Sequence, residues 1–298
     1  MANYSQAWSA ARPGCLILLL DQSGSMSDPF GYAQAGAGRR KCDMVATVLN
    51  GFLNELIVTN TIAQKDGTIM VRPRADVAVL GYEGSFVGPV LGGALEGRPF
   101  VSLPELQMNP LTIERRSKRE IDETGMEIEI PVQFPIWVQA VAGGGTPMCA
   151  ALRQAHDLAL QWAQAHQDSY PPVIINVSDG MGNDGDPMDA ARGISDIGTN
   201  DGRALLFNVH ITDINSAPVA YPANENELPN DRYAKKLFAM SSLIPETSRS
   251  LLQSLLARPV FPGARGLIFN GDAASVRQMF VFASVPATKP LEQLEMDR

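Results

Sequence analysis

The sequence predicts an α/β fold, a doubly wound and mostly parallel sheet flanked by helices. Five short apolar runs are bounded by Gly, Pro, Asp or Asn, and their continuous hydrophobicity is typical of strands buried on both faces. Segments with helical periodicity lie between these runs, and such alternation produces right-handed β-α-β crossovers. The predicted strands are Cys15–Leu20, Val77–Tyr82, Val173–Val177, Ala204–Ile211 and Gly266–Phe269.

Six helices are predicted between and after these strands. The first, Lys41–Ile57, carries apolar residues at spacings of three and four along one face. The second, Pro147–Ala165, is rich in alanine and has its proline in the first turn, where a backbone N–H is not needed. Weaker periodicity predicts the other four, at Pro187–Ile197, Arg232–Met240, Glu246–Leu256 and Ala273–Phe280.

Three stretches interrupt the alternation of strands and helices. Residues 28–38 are rich in Gly and Ala and predict a mobile loop after the first strand. Residues 88–135 contain a charge run and then alternating apolar and polar residues from Met126 to Val132, which predicts an inserted β-hairpin or edge ribbon. Residues 213–230 are a polar segment that contains prolines and follows a predicted strand.

The composition excludes several classes of protein. Of the 298 residues, 45% are hydrophobic and 19% are charged, which excludes wholesale disorder. The net charge of −8 argues against a general nucleic-acid binder, whose affinity would come from neutralising phosphates. The longest apolar run, Cys15–Leu20, is far too short to span a bilayer, so no membrane contact is expected.

The cysteines and the N-terminal residues predict a cytoplasmic protein. Three cysteines without a CxxC spacing give neither a disulfide framework nor a structural zinc site, which favours a reducing compartment. The N-terminal residues also lack the basic region and cleavage pattern of a signal peptide.

A set of oxygen-bearing side chains follows the first predicted strand. Asp21, Ser23 and Ser25 occupy alternate positions at its carboxyl end, which is where open α/β sheets bind ligands. These side chains offer only hard oxygen donors, which match Mg²⁺, Ca²⁺ or Mn²⁺. Taken alone, this Asp-x-Ser-x-Ser pattern is more typical of a strand-end turn with a capping serine.

Two further motifs are predicted at the same edge of the sheet. Thr146, in the sequence Gly-Gly-Thr-Pro, precedes the alanine-rich helix, and Asp179 follows the strand Val173–Val177 in the sequence Ser-Asp-Gly. Each motif alone is a common cap or turn. Together with Asp21, Ser23 and Ser25 they supply two carboxylates and three hydroxyls, and this coincidence favours a shared metal site.

The three motifs resemble the metal-ion-dependent adhesion site (MIDAS) of von Willebrand factor type A (vWA) domains. The resemblance covers about residues 13–283, with the insertion at about 88–135, and all five site positions match. It implies that residues 1–298 form a single vWA-like domain with a short C-terminal tail at 284–298. It also implies a six-stranded, mostly parallel sheet with one antiparallel edge strand.

The resemblance implies a metal-dependent function in protein interaction without catalysis. In vWA domains the two serines and the threonine bind the ion directly or through water, and the two aspartates do the same or lie behind the ligands. A glutamate or aspartate of a protein partner commonly completes the coordination. The chain is therefore expected to bind Mg²⁺, or Ca²⁺ or Mn²⁺, through Asp21, Ser23, Ser25, Thr146 and Asp179, and to capture an acidic group.

Within that family, the motifs are most similar to those of bacterial intracellular members. These are stand-alone proteins associated with tellurite-resistance or stress operons, and some accompany serine/threonine kinases and metal-dependent phosphatases. The resemblance thus implies a kinase or phosphatase as a partner. An alternative is that the chain is an adaptor for a MoxR-like AAA+ ATPase.

One enzymatic alternative remains open from the sequence. A strand followed by Asp21, with a later Asp-Gly-x-Gly-Asn-Asp run, superficially resembles Mg²⁺-dependent phosphatases of the haloacid-dehalogenase type, in which such an aspartate is the nucleophile. Those enzymes usually place a second aspartate two residues later as general acid. Here that position is Ser23, which disfavours the phosphatase.

Three residues near the motifs have simpler structural interpretations. Cys149 is predicted to be a small packing residue, although its place near a helix start would lower a thiol pKa. Asp186 is predicted to cap the helix that begins at Pro187. His210 is predicted to be a hydrogen-bonded core residue of its strand.

Overall fold

A mixed sheet of eight strands, flanked by helices, forms the centre of the protein. The computed structural model describes residues 3–30, 39–64, 66–121, 126–180, 182–211 and 218–284. The strands in this part of the chain are β1 (Gly14–Asp21), β2 (Thr61–Ala63), β3 (Ile69–Val71), β4 (Ala75–Glu83), β5 (Phe86–Pro89), β6 (Val101–Ser102), β7 (Thr112–Ile121), β8 (Glu127–Ile136), β9 (Val173–Ser178), β10 (Leu205–His210), β11 (Val219–Ala220) and β12 (Leu267–Phe269).

The helices of the described residues match the predicted ones closely, with one addition. They are α1 (Lys41–Thr59), α2 (Leu103–Met108), α3 (Met148–Ala165), α4 (Met188–Asp196), α5 (Arg232–Met240), α6 (Glu246–Leu256) and α7 (Ala273–Ser284). The short helix α2 lies inside the predicted insertion and was not expected. The predicted loop 28–38 and tail 284–298 lie largely outside the described residues.

The predicted α/β class is confirmed, but the predicted six-stranded sheet is wrong. The strand order is β11-β12-β10-β9-β1-β4-β5, and β6 also pairs with β4. The five predicted strands β12, β10, β9, β1 and β4 are parallel, and three short strands, β5, β6 and β11, add antiparallel pairs. Two of these three follow directly after β4 in the chain.

A tight turn explains the first of the added strands. Gly84 has a φ of +53° between β4 and β5, and the chain reverses there so that Glu83 pairs with Phe86. Positive φ is easily reached by glycine, which makes it the usual residue in two-residue hairpin turns. The chain therefore adds an antiparallel strand to the edge of the sheet before the hairpin β7–β8 begins.

The central strand β1 is buried on both faces, as its continuous hydrophobicity predicts. Leu16, Leu18 and Leu20 face the apolar cluster that includes α1, α2, α6 and α7. Ile17 and Leu19 face the opposite cluster, which includes α3, α4 and α5. This two-sided burial places the carboxyl end of β1 at the middle of one sheet edge.

Helix α1 is long and apolar enough to cross a membrane by composition alone, with a mean hydropathy of 1.2 over its most apolar window. Its apolar side chains, among them Leu49, Phe52 and Leu53, are buried in the cluster shared with β1. Such burial is typical of a core helix in a soluble protein.

The predicted β-hairpin of the insertion is confirmed. Strands β7 and β8 pair antiparallel along their whole lengths, from Thr112 with Ile136 to Ile121 with Glu127. At the base of the hairpin, the guanidinium of Arg116 lies 3.5 Å from the ring centroid of Phe134. The outer part is exposed on both faces, so the hairpin extends the surface without adding to the core.

A buried asparagine of α1 fixes the segment that follows the hairpin. The Asn50 side chain accepts hydrogen bonds from the backbone N–H groups of Trp137 and Val138 at 2.8 and 3.1 Å. Its amide also donates to the carbonyl of Val138 at 2.8 Å. A buried side chain that is hydrogen-bonded in this way locks the two segments together. It thereby directs the chain from β8 towards the loop that contains Thr146.

Candidate metal site

The turn after β1 holds its side chains in a compact arrangement. Asp21 is 2% exposed, and its Oδ1 accepts a hydrogen bond from the backbone N–H of Ser23 at 2.9 Å. Aspartate commonly stabilises a turn by accepting from the N–H two residues later. The next residues form a short 3₁₀ turn, Gly24–Ser27, which brings the Ser23 and Ser25 hydroxyl oxygens within 3.2 Å of each other.

The end of β9 lies directly beside this turn, because β1 and β9 are parallel neighbours with Leu20 paired to Val177. The Ser25 hydroxyl donates to Oδ1 of Asp179 at 2.8 Å. The Ser178 hydroxyl donates to Oδ2 of Asp21 at 2.8 Å. Two hydroxyl–carboxylate bonds therefore join strand ends that are more than 150 residues apart in the chain.

The glycine loop before α3 lies against the same turn. The Gly143 N–H donates to the carbonyl of Gln22 at 2.7 Å, and the Gly24 N–H donates to the carbonyl of Gly144 at 3.0 Å. A Cβ atom on Gly144, which has a φ of +62°, would lie 2.8 Å from the backbone nitrogen of Gly84. Only glycine permits this close approach of two backbones. The loop thus places Thr146 next to the Asp21 turn.

Thr146 itself is half-buried, and its side chain is not hydrogen-bonded to any other residue in the described part of the chain. Its backbone carbonyl accepts from Met148 and Asn183 at 2.8 and 3.0 Å, which orients the start of α3. The structure thus joins Asp21, Ser23, Ser25 and Asp179 by direct bonds and places Thr146 in the adjoining loop.

The sequence reasoning missed one charged residue of the site, Lys41. Its Nζ lies 2.8 Å from Oδ2 of Asp179, and the two side chains are only 5% and 1% exposed. Lys41 is the first residue of α1, where the helix dipole disfavours a positive charge. A lysine at the N-terminus of the helix that follows a metal-site turn was the signal available in the sequence.

Burial changes the acidity of Asp21. Removal from water raises the pKa of its carboxyl group to about 6, against the opposing effect of hydrogen bonds from Ser23 and Ser178. The nearby charge of Asp179 contributes a smaller part of this rise. Ionised Asp21 is therefore held in an environment that lacks full compensation for its charge.

Polar side chains inside the core lie next to the site and are hydrogen-bonded to one another. The Tyr233 hydroxyl donates to the Ser178 hydroxyl at 3.3 Å, and the Tyr82 hydroxyl donates to the Asn176 side chain at 2.9 Å. Asn176 in turn donates to Asn208 in the next strand at 3.2 Å. These bonds satisfy polar groups inside an apolar core and so fix the positions of neighbouring strand ends.

The neighbouring acidic residues and Cys149 have structural roles. The Asp184 carboxylate accepts from the backbone N–H groups of Cys149 and Ala150 at 2.9 and 2.8 Å, and so caps α3. Asp186 accepts from the N–H of Met188, the first residue of α4, at 3.1 Å, but the N-cap residue of this helix is Pro187, one position later than predicted. Cys149 is 1% exposed, as predicted for a small packing residue, and burial raises the pKa of its thiol to about 11.

His210 is buried as predicted, but its predicted hydrogen bonding is not complete. Its ring stacks on Phe269 with centroids 4.4 Å apart, and it is 5% exposed. Its Nδ1 has no hydrogen-bond partner among the described residues. Burial lowers the pKa of this histidine to about 4, so it is neutral near pH 7.

The side chains that meet at this edge fit a hard divalent cation by their chemistry. They offer carboxylate and hydroxyl oxygens, the donors that Mg²⁺ prefers, and no sulfur or imidazole. Among the described residues, no group of three or more His, Cys, Asp or Glu side chains could hold an ion. A metal here would therefore depend on the serine and threonine hydroxyls.

Comparison with known proteins adds no further information about this site. No protein-family model matches the chain, and no curated protein is significantly similar to it. A function for the chain is therefore proposed from the chemistry of the strand ends and of the loop around Thr146.

Proposed function

We propose that this protein is a divalent-cation-dependent interaction module of the vWA type. In this proposal Asp21, Ser23, Ser25, Thr146 and Asp179 hold Mg²⁺, or Ca²⁺ or Mn²⁺, and the ion captures a glutamate or aspartate side chain of a protein partner. The observation that carries the proposal is the hydrogen bond from Ser25 to Asp179, which unites the first and third motifs in one cluster.

The donor set supports a function in capture. Mg²⁺ gives up water reluctantly and usually keeps positions open for the oxygen of a ligand. Serine and threonine hydroxyls are neutral, and one of the two carboxylates, Asp179, already pairs with the ammonium of Lys41, so the charge of the ion would be only partly compensated. A carboxylate from a partner would then gain both a coordination bond and charge compensation.

The proposed context is the bacterial cytoplasm, in a stress or tellurite-resistance system. A serine/threonine kinase or a phosphatase is the proposed partner, with a MoxR-like AAA+ ATPase as the alternative. The outer part of the hairpin β7–β8 is exposed and offers additional contact surface for such a partner. The net charge of −8 supports a protein partner over a nucleic acid.

The phosphatase alternative has less support. Both carboxylate oxygens of Asp21 already accept hydrogen bonds, from the N–H of Ser23 and the hydroxyl of Ser178. Ser23 also occupies the position at which a general acid is needed, and a serine hydroxyl is too weak an acid for that role near pH 7. Hydrolysis of p-nitrophenyl phosphate that is abolished by Asp21→Asn would favour the phosphatase instead.

A pair of serine substitutions in one turn tests the proposed metal site. Ser25→Ala removes a candidate ligand, and we expect roughly tenfold or greater loss of Mg²⁺ affinity, equal to about 1.4 kcal/mol or more. Ser27→Ala is the matched control, because its hydroxyl only donates to the carbonyl of Gly24 in the same turn. Isothermal titration calorimetry with MgCl₂ measures both. Equal affinities for the two variants would contradict the site.

The hydroxyl of Thr146 gives a second prediction, because it makes no hydrogen bond to another of the described residues. We expect Thr146→Val to weaken Mg²⁺ binding while it changes the free energy of unfolding by no more than about 0.5 kcal/mol. Thr146→Ser retains the hydroxyl and should retain most of the affinity. Calorimetry and urea denaturation measure the two quantities. A large loss of stability in Thr146→Val, with unchanged Mg²⁺ affinity, would assign a structural role to this side chain.

A further inference from the structure

Lys41 places an ammonium group inside the candidate site. Its ammonium group contacts Asp179, a proposed metal-site residue, at 2.8 Å. We infer that Lys41 sets the charge of the site: it weakens the binding of Mg²⁺ and strengthens the capture of a carboxylate by the loaded site. This inference rests on the proposed function.

The position of Lys41 is enforced by its surroundings. The lysine side chain is 5% exposed, and Asp179 accepts from Lys41 on Oδ2 and from Ser25 on Oδ1. A second carboxylate, Asp28, lies 3.8 Å from the ammonium but is 54% exposed, so solvent screens its charge. Because the Lys41 side chain is buried, its ammonium stays beside Asp179 and therefore close to any ion that Asp179 binds.

A count of charges shows what this contact does. The carboxylates of Asp21 and Asp179 with the ammonium of Lys41 give a net charge of −1 to the site without metal. Binding of Mg²⁺ reverses this to +1, whereas the same site without Lys41 would become neutral. A site with a net charge of −1 repels a carboxylate, and a site of +1 attracts one. Lys41 thus gives the metal-loaded site a net positive charge, which attracts an acidic group.

The charge of Lys41 also weakens the binding of the metal itself. Lys41 competes for Asp179 and repels a cation that shares this carboxylate. A purely structural ion pair has a different signature, because its loss would lower stability without a selective gain in metal affinity. The two roles are therefore distinguished by the sign of the change in Mg²⁺ affinity.

Neutral substitutions of Lys41 test the inference. Lys41→Gln keeps a donor for Asp179, and Lys41→Met is a second variant that keeps the unbranched chain without its terminal ammonium. Lys235→Gln is the matched control, because it removes the same charge from a surface pair with Glu225 at 3.5 Å. Calorimetry at pH 8, where Asp21 is ionised, measures Mg²⁺ affinity. Water-proton relaxation of the Mn²⁺-loaded protein measures acetate binding, with acetamide as the uncharged control at constant ionic strength.

Two opposite changes are expected in the Lys41 variants. Mg²⁺ should bind roughly tenfold more tightly, and acetate should bind the Mn²⁺-loaded protein severalfold more weakly, since one unit charge is removed a few ångströms from the ion. Lys235→Gln should match the wild type in both measurements. Unchanged or weaker Mg²⁺ affinity in a folded Lys41 variant would overturn the inference and leave the metal site intact. Absence of Mg²⁺ binding by the wild type would overturn the proposed function itself.

Discussion

Replacement of Asp179 by alanine is expected to lower the free energy of unfolding by roughly 3–5 kcal/mol, because removal of one partner of a buried ion pair leaves the other charge uncompensated. The stranded group is the ammonium of Lys41, which lies in a position that is 5% exposed. The hydroxyl of Ser25 loses its acceptor at the same time. Urea denaturation of the metal-free protein measures the loss, and calorimetry should show that Mg²⁺ binding is abolished.

Two controls separate the effect of burial from that of the pair itself. Glu55→Ala breaks the pair with Arg277, whose side chains are 33% and 57% exposed, and should change stability by no more than about 1 kcal/mol. In the double variant Lys41→Met/Asp179→Ala, both charges are gone and much of the stability should return. If Asp179→Ala cost as little as Glu55→Ala, the Lys41–Asp179 contact would not be a desolvated ion pair.

Replacement of Asp21 by asparagine is expected to stabilise the metal-free protein above pH 6. The carboxyl group has a pKa of about 6 in the folded protein and 3.8 as its ordinary value, so the folded state binds the proton more tightly. Its contribution to stability is therefore greatest below pH 3.8, falls as the pH rises to about 6, and is constant above that. A shift of about two units corresponds to about 3 kcal/mol, the upper limit of the expected gain.

The pH dependence makes this prediction specific. In the presence of EDTA, we expect the Asn variant to unfold at higher urea concentration than the wild type at pH 8, and the difference to vanish near pH 4. Addition of MgCl₂ at pH 8 should stabilise only the wild type, because ligands that bind the folded state raise its stability. If the variant were less stable at pH 8 and retained the pH dependence of the wild type, the buried carboxylate of Asp21 would not be a source of instability in the folded protein.

The strongly buried strands and long helices were predictable from local patterns. The continuous apolar run at Cys15–Leu20 corresponds to β1, and the limits of Arg232–Met240 and Glu246–Leu256 coincide with α5 and α6. These elements bury most of their apolar residues, so their hydrophobic patterns directly reflect the fold. The alternation from Met126 to Val132 likewise identified β8 of the hairpin, because a ribbon orders its side chains with a period of two.

The short strands could not be predicted from such patterns. Strands β6 and β11 contain two residues each, and their backbone partners lie in distant segments. A two-residue strand has no periodicity of its own, and its pairing depends on where the rest of the sheet has already placed an edge. The expected count of six strands was therefore too low.

The local sequence was enough to predict which oxygen-bearing side chains form the candidate site and at which edge of the sheet they lie. Asp21 and Asp179 follow predicted parallel neighbours, and the carboxyl ends of such strands must meet at one edge. The charge of that site could not be predicted in this way, because Lys41 and Asp179 are 138 residues apart and their ion pair requires the first residue of α1 to lie beside the end of β9. Buried parallel strands can be predicted from local hydrophobic patterns and their alternation with helices. A buried ion pair forms only after packing has removed both charged groups from water.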